Sequence, residues 1–227
     1  MSKLSSLYGR AAVVLAAFAA TAAAQAALAA TPAGTWGKAI EVPGTAALNV
    51  GDLASVTSIS CASAGNCSAG GYYTDHAGLH TKPFAVSETK GSWARAVKIS
   101  GPAALNNSKF AQITTISCGS PGNCLAGGAY ALAGGKQAFI VSEKNGTWGK
   151  ATAVPGLNSL DSGYVAEVDR VACSSAGNCT LAGAYSTLEL SLEVFVASEK
   201  NGKWTPAVEI VGTAQLNQGG RAHVNSL

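Results

Sequence analysis

Charged side chains are scarce in this 227-residue chain, which has 15 Lys plus Arg against 12 Asp plus Glu. Two of the basic residues, Lys3 and Arg10, fall in the leader segment described below, and removing them leaves 13 basic residues and a net charge of +1. A nearly neutral chain of mixed charge has no electrostatic basis for binding nucleic acid. We therefore expect no nucleic-acid partner.

Motifs of common catalytic sites are also missing. The sequence has no G-x-S-x-G elbow, no H-E-x-x-H, no EF-hand loop and no phosphate loop. A sialidase would need an arginine cluster and a Tyr–Glu nucleophile, and a copper oxidase would need a His–Tyr cluster. The histidines and the mature chain's arginines are scattered over unrelated positions: His76, His80, His223, Arg95, Arg170 and Arg221. These absences favour a non-catalytic protein without cofactor or metal.

Long apolar runs are confined to the N-terminus. After the basic start, residues 11–24 are almost all Ala, Val, Leu and Phe, and A-x-A sites follow at Ala24-Gln25-Ala26 and Ala27-Leu28-Ala29. Fourteen residues are too few for a membrane span, which needs about 20. A basic start, a short apolar middle and a small-residue cleavage site indicate a secretory signal peptide over residues 1–30. We expect a secreted chain without a membrane span after cleavage.

Internal repetition dominates the remaining sequence, residues 31–227. The tryptophans at 36, 93, 148 and 204 are 57, 55 and 56 residues apart, and three Cys-x5-Cys pairs follow the same period. Gly-Asn precedes the second cysteine of each pair, Phe-x-x-Ser-Glu follows, and Gly-x-Trp closes each unit. The chain is therefore predicted to be a tandem array of one structural unit.

Each unit is predicted to contain four short antiparallel strands, as the first copy shows. Ala54–Cys61 alternates and is rich in β-branched residues, a tight turn leads to Cys67–Tyr73, and Phe84–Glu88 and Trp93–Ile99 follow. No window of the mature chain has a helical period. Repeated four-stranded units predict an all-β, β-propeller-like array, with a sandwich or a solenoid as alternatives. Three complete blades are expected, with partial strands at both ends: 54–99, 111–154 and 166–210 for the blades, and 36–42 and 222–227 for the partial strands.

The repeat resembles Cys-containing repeats of secreted actinobacterial proteins of propeller type. The resemblance rests on Ser60-Cys61-x5-Cys67-x-x-Gly70-Gly71-x-Tyr73 and its two later copies, the third of which has Ala182 in place of the first glycine. The Gly-Gly, Tyr and Trp order is similar to a kelch blade. The segment Ser142-x-x-x-Gly146-x-Trp148 is similar to an Asp-box hairpin that lacks the defining Asp. The resemblance implies a propeller architecture and says little about activity.

The six cysteines are expected to be oxidised in an exported chain. Each Cys-x5-Cys pair straddles its own Gly-Asn turn, so the two residues face each other across a hairpin at disulfide distance. This placement predicts three pairs: Cys61–Cys67, Cys118–Cys124 and Cys173–Cys179. A zinc site is the alternative, but zinc ligands usually lie about two to four residues apart with further Cys or His nearby.

Two other repeated features are interpreted as structural. The tryptophans follow a hairpin glycine at a fixed period, which favours packing between units over ligand contact. The Ser-Glu pairs at 87–88, 142–143 and 198–199 could form a carboxylate array, but a Glu beside a turn is more often a solvated charge. Neither feature predicts a site.

The favoured function is a secreted, non-catalytic binding or scaffold module for an extracellular ligand or protein, such as a cell-surface or glycan component. Its recognition surface would be the segments that differ between copies, Thr74–Lys82, Ala131–Gln137 and Ser186–Glu193. The alternatives are a secreted polysaccharide hydrolase or lyase, or a fragment of a larger propeller protein. Because three blades cannot close a ring, self-association through the open ends is also expected.

Overall fold

The computed structural model describes residues 37–75, 80–160 and 164–227. The predicted signal peptide, Trp36 and His76 lie outside these residues. The chain divides into two compact units, Met1–Ala39 and Ile40–Leu227, and the second carries all the strands assigned in the described part. No helix in these residues has the length and apolar character that crossing a bilayer requires.

Three antiparallel sheets follow one another along the chain, as the repeat predicts. The first sheet contains β1 (Ala54–Ser63), β2 (Asn66–Asp75), β3 (His80–Thr89), β4 (Ser92–Trp93) and β5 (Val97–Lys98). The second contains β6 (Ala111–Ser120), β7 (Asn123–Leu132), β8 (Gly135–Lys144), β9 (Thr147–Trp148) and β10 (Thr152–Ala153). The third contains β11 (Ala166–Ser175), β12 (Asn178–Ser186), β13 (Leu192–Lys200), β14 (Lys203–Trp204) and β15 (Val208–Glu209).

The fourth strand of each unit is interrupted, where the sequence predicted one continuous strand. Two short pieces pair with the same long third strand, as β4 and β5 do with β3. Between the pieces, the N–H of Ala96 donates to the carbonyl of Pro43, and Ala151 and Ala207 make the equivalent bonds to the linkers before their sheets. The strand breaks because this N–H is diverted from the ladder to the preceding linker.

The linkers between sheets contain single helical turns, although the sequence has no helical period. They are Thr45–Leu48, Ala103–Asn107, the 3₁₀ turn Leu157–Ser159 and Thr213–Leu216. Three to five residues are too few to show a 3.6-residue pattern, so the sequence does not predict these turns.

Neighbouring sheets are joined through their first strands. The hydroxyl of Thr57 on β1 donates to the carbonyl of Ile113 on β6 at 2.6 Å, and Thr114 repeats this bond to Val168 on β11. Serine and threonine hydroxyls of one first strand also accept N–H groups of the next, as Ser58 does from Ile116 at 3.0 Å. The hydrogen bonds found in the described residues join sheet one to two and two to three, not one to three.

The core fills the space between sheets rather than one closed interior. One buried cluster combines Leu125 and Ile140 of sheet two with Val168 and Phe195 of sheet three. A second combines Ala85 of sheet one with residues of sheet two. Trp148 and Trp204 are partly buried against these two clusters, and Trp93 is partly buried against a third, which combines sheet one with the linker before it. Packing between sheets, which the period predicted, is therefore seen for Trp148 and Trp204, whereas Trp93 packs within its own unit.

The partial strands expected at the two ends are not strands in the described residues. Residues 37–42 and 222–227 carry no strand, and Arg221, just before the second segment, forms a single parallel bridge with Leu192. A first strand pairs with the second strand of its own unit and a fourth strand with the third, and neither end segment has such a partner in the described chain. The expectation of partial strands is corrected accordingly.

The repeated Gly-Asn has a structural explanation in the two turns of each sheet. The Asn66 side chain accepts the N–H of Lys90, and the carbonyl of Gly65 accepts the N–H of Gly91. Asn123 and Asn178 make the same bond to the later copies. In each sheet the first hairpin turn is therefore hydrogen-bonded to the second hairpin turn.

The second turn offers a stability prediction. Lys90 has a φ of 51°, the left-handed conformation that Asn145 and Asn201 adopt in the other copies. Asparagine tolerates this conformation better than lysine because its short side chain bonds locally. We expect Lys90→Asn to raise the free energy of unfolding by about 0.5–1 kcal/mol in urea denaturation. The exposed substitution Lys203→Asn, outside the left-handed region, serves as the control and should not stabilise.

Candidate functional site

The predicted disulfides are all present. Cys61–Cys67, Cys118–Cys124 and Cys173–Cys179 have S–S distances of 2.03, 2.04 and 2.07 Å. In each sheet the two cysteines are directly paired residues on either side of the first hairpin. They fasten the turn whose asparagine holds the second hairpin, so their role is structural.

One Ser-Glu pair departs from the solvated role expected of it. Glu143 is only 2% exposed, and its two oxygens accept the hydroxyls of Ser68 at 2.8 Å and Ser87 at 2.6 Å. Trp148 donates its indole N–H to Ser87 at 3.0 Å. The interpretation as a solvated charge is wrong for Glu143, because the hydroxyls of the neighbouring sheet replace water.

A pocket of about 730 Å³ lies on sheet three beside the linker that precedes it. One wall comes from the variable segment between β12 and β13, which contributes Thr187, Leu188 and Glu189. Glu193 and Glu209 add two more carboxylates. None of the described residues that line the pocket is basic, so its electrostatic character is strongly acidic.

Strand pairing places the polar residues of the pocket on one face. Tyr185 lies directly opposite Glu193 in the β12–β13 ladder, and Glu209 lies opposite Phe195 in the β13–β15 ladder. Side chains of directly paired residues and of alternate residues along a strand project from the same face. The tyrosine and the two carboxylates therefore converge because of the register.

Glu193 is the distinctive group of this pocket. Its side chain is buried, with the residue only 6% exposed, and its Oε1 accepts the amide N–H of Asn217 at 3.0 Å. Its Oε2 is buried and accepts no hydrogen bond from the part of the chain that the structure describes. A buried polar atom without a partner is costly, and such atoms often mark a functional site. Glu193 thus offers a carboxylate oxygen whose desolvation is already complete.

Tyr185 supports Glu209 rather than acting as a nucleophile. Its hydroxyl donates to Oε2 of Glu209 at 3.0 Å. Burial, together with this hydrogen bond, raises the pKa of Tyr185 well above its usual range. The phenol is therefore held neutral. A Tyr–Glu pair is present, but Arg95, Arg170 and Arg221 do not line this pocket, so the arginine cluster that a sialidase needs is missing from it.

The charge at the repeat positions of Glu193 and Glu209 differs between the sheets. The residues that correspond to Glu193 and Glu209 are Lys82 and Lys98 in sheet one. Lys82 is buried, and its Nζ donates to the carbonyls of Asn106 at 2.9 Å and Ser108 at 2.6 Å. Burial lowers the pKa of Lys82. In sheet two the corresponding residues are Gln137 and Ala153, so of the three sheets only the third carries carboxylates at both positions.

A second acidic cluster lies elsewhere on sheet three. Glu167, Asp169 and His223 place one ligand atom each within 4.8 Å of one another, the one such set among the described residues. Its two carboxylates already have other partners. Lys136 pairs with Glu167 at 3.7 Å, and Asp169 accepts the N–H of Val224 at 3.1 Å. The bond from Val224 to Asp169 holds the C-terminal segment against sheet three, and the Lys136–Glu167 pair joins sheets two and three.

The segments predicted to form the recognition surface are shorter than expected. Strands β2, β3, β7 and β8 extend into them, so that Asp75 pairs with His80 and Leu132 with Gly135. A backbone ladder does not need similar side chains, so the variable residues continue the strands. The described loop of the third copy, between Ser186 and Leu192, is the one that forms a pocket wall.

The sequence did not predict Tyr185, Glu193 and Glu209 as a group. The available signal was the departure of the third copy from the first, Glu for Lys at two positions of one face. Comparison with known proteins adds no assignment: no family model matches the chain, and no curated protein matches it at a significant level.

Proposed function

We propose that this protein is a secreted, non-catalytic binding module whose acidic pocket binds the protonated amine of an extracellular ligand, such as an amino sugar in a polysaccharide. The observation that carries the proposal is the buried, unpartnered Oε2 of Glu193 in a pocket with two further carboxylates. An ammonium group would supply the missing donor and would neutralise a carboxylate that is already desolvated.

An amine fits this pocket better than a metal ion does. Calcium takes six to eight oxygen ligands at short distance, so its ligands must converge tightly. The carboxylates of Glu189, Glu193 and Glu209 do not form a set within 4.8 Å of one another. An ammonium group needs only a few acceptors around it, and Glu193, Glu209 and the hydroxyl groups of the pocket supply them.

Binding of glucosamine oligosaccharide tests the proposal. We expect the mature protein to bind the free-amine oligosaccharide in a calorimetric titration, and Glu193→Gln to weaken this binding about tenfold or more by removing the charge. Because the substitution also removes a buried charge, the variant should be as stable as the wild type or slightly more stable. Added salt should weaken wild-type binding.

Two controls make the result specific. N-acetylated oligosaccharide of the same length has no charge and should bind much more weakly, and Glu88→Gln, a substitution outside the pocket, should bind as the wild type does. Equal affinity for the free and acetylated forms would contradict the amine proposal. Loss of stability in Glu193→Gln would assign the residue a structural role instead.

The architecture we propose for this module is an open arc of propeller-like blades. The hydroxyl bonds between successive first strands support it, since the first strands of a propeller line its axis. Export is supported by the signal-peptide pattern and by the three disulfides. A polysaccharide hydrolase or lyase is the competing proposal, and turnover of chromogenic glycosides that depends on Glu193 and Glu209 would favour it.

A further inference from the structure

The first strand of sheet one is exposed where its counterparts are buried. Val56 and Ile59 on β1 are 44% and 57% exposed. The corresponding side chains of β6, Ile113 and Ile116, are 0% and 5% exposed, and those of β11 are at most 8% exposed. The difference arises because β6 and β11 each lie against the first strand of the preceding sheet, and β1 has no such neighbour among the described residues of Ile40–Leu227.

The same comparison indicates that, within the described residues of Ile40–Leu227, the backbone edge of β1 is also open. On β6, the N–H groups of Ile116 and Cys118 point away from β7 and are accepted by Ser58 and Ser60 of sheet one. By the repeat, the N–H groups of Ile59 and Cys61 point away from β2 in the same way. The described residues of Ile40–Leu227 place no hydroxyl against them. The edge therefore combines unpaired backbone donors with exposed apolar side chains, which is the usual template for pairing with another strand.

Strand β11 of sheet three, at the opposite end of the array, lacks the groups that would pair with the β1 edge. The hydroxyls that accept N–H groups from a following strand are replaced on β11 by Arg170 and Ala172. The position is also taken by the chain's own C-terminal segment. Arg170 donates to the carbonyl of Asn225 at 2.8 Å, and Asp169 accepts the N–H of Val224. A head-to-tail chain of copies would have to displace this segment.

We propose that the β1 edge is the interface with a second copy of this chain, paired β1 to β1 about a two-fold axis. A strand edge carries both N–H and C=O groups and is complementary to itself in the antiparallel orientation, so two identical edges can satisfy each other. Val56 and Ile59 of the two copies would then cover one another. One strand pair buries less than the roughly 1,600 Å² of a standard interface, so the dimer is weak and depends on concentration.

Light scattering on the mature protein over a range of concentrations tests this interface. We expect the mass to rise from one copy towards two and to stop there. Val56→Arg should keep the protein monomeric through charge repulsion, and Ile59→Pro should do so by removing an edge N–H without disturbing the β1–β2 ladder. The matched control is Val208→Arg, at an exposed valine on β15, which should dimerise as the wild type does.

Hydrogen exchange provides an internal control in the wild type. The amides of Ile59 and Cys61 should gain protection as the concentration rises, whereas those of Ile116 and Cys118 should be protected at every concentration. A protein that stays monomeric at all concentrations would overturn the proposal. So would a mass that grows beyond two copies, or a dimer that Val56→Arg and Ile59→Pro leave intact while both variants remain folded.

Discussion

Removal of all three disulfides is expected to lower the free energy of unfolding by about 6–9 kcal/mol. Each bond joins residues six positions apart and closes a small loop, which the chain-entropy relation values at about 2–3 kcal/mol. A domain of this size is stable by only about 5–15 kcal/mol, so the chain without disulfides should be largely unfolded or close to unfolding. Urea denaturation of the oxidised protein and of the six-fold Cys→Ser variant, followed by circular dichroism, measures the loss.

The three disulfides should not contribute equally to the free energy of unfolding. The sulfur of Cys124 lies 3.4 Å from the hydroxyl of Ser68 on sheet one, at the buried interface between sheets, whereas Cys61 faces solvent at the end of the array. Replacing Cys118 and Cys124 should therefore cost more than replacing Cys61 and Cys67, because packing is lost in addition to the loop constraint. Equal losses would show that loop closure alone accounts for the stabilisation.

The parts of this fold that the sequence predicted are those determined within one unit. Alternation, turn residues and the Cys-x5-Cys spacing act over about ten residues, and they placed the strands around Cys61 and Cys67 and the disulfide between them. The interrupted fourth strand was not predictable in the same way. Its break depends on the bond from Ala96 to Pro43, a carbonyl more than fifty residues earlier in the chain.

The environments of the acidic side chains likewise depend on residues outside their own unit. Glu88, Glu143 and Glu199 occupy one position of the repeat, yet only Glu143 meets two serine hydroxyls from the preceding sheet. For Glu199, Leu125 stands where Glu143 finds Ser68, and burial raises the pKa of the Glu199 carboxyl. One motif thus has three environments, each decided by residues of a different unit. The acidic pocket could be noticed only as a departure from the repeat, since no local motif defines it.

The buried carboxylate of Glu143 provides the second large effect. We expect Glu143→Ala to lower the free energy of unfolding by about 2–4 kcal/mol, because it leaves the hydroxyls of Ser68 and Ser87 without their acceptor and opens a cavity between sheets one and two. Glu143→Gln keeps the volume and one acceptor oxygen, so about half of that loss is expected. The measurement is urea denaturation of both variants beside the wild type.

Glu88→Ala is the matched control, since Glu88 has the same repeat position in sheet one and no preceding sheet against it in the described part of Ile40–Leu227. A surface substitution of this kind should change stability by less than about 0.5 kcal/mol. Adding Ser68→Ala to Glu143→Ala separates the two causes, because it removes one unpaired hydroxyl and keeps Ser87, which accepts the indole N–H of Trp148. If the unpaired hydroxyls carry the loss, this second substitution should recover part of it, since an apolar replacement of both partners of a hydrogen bond can be nearly neutral. If stability does not recover at all, the cavity accounts for the whole effect, and Glu143 joins the sheets through packing rather than through its hydrogen bonds.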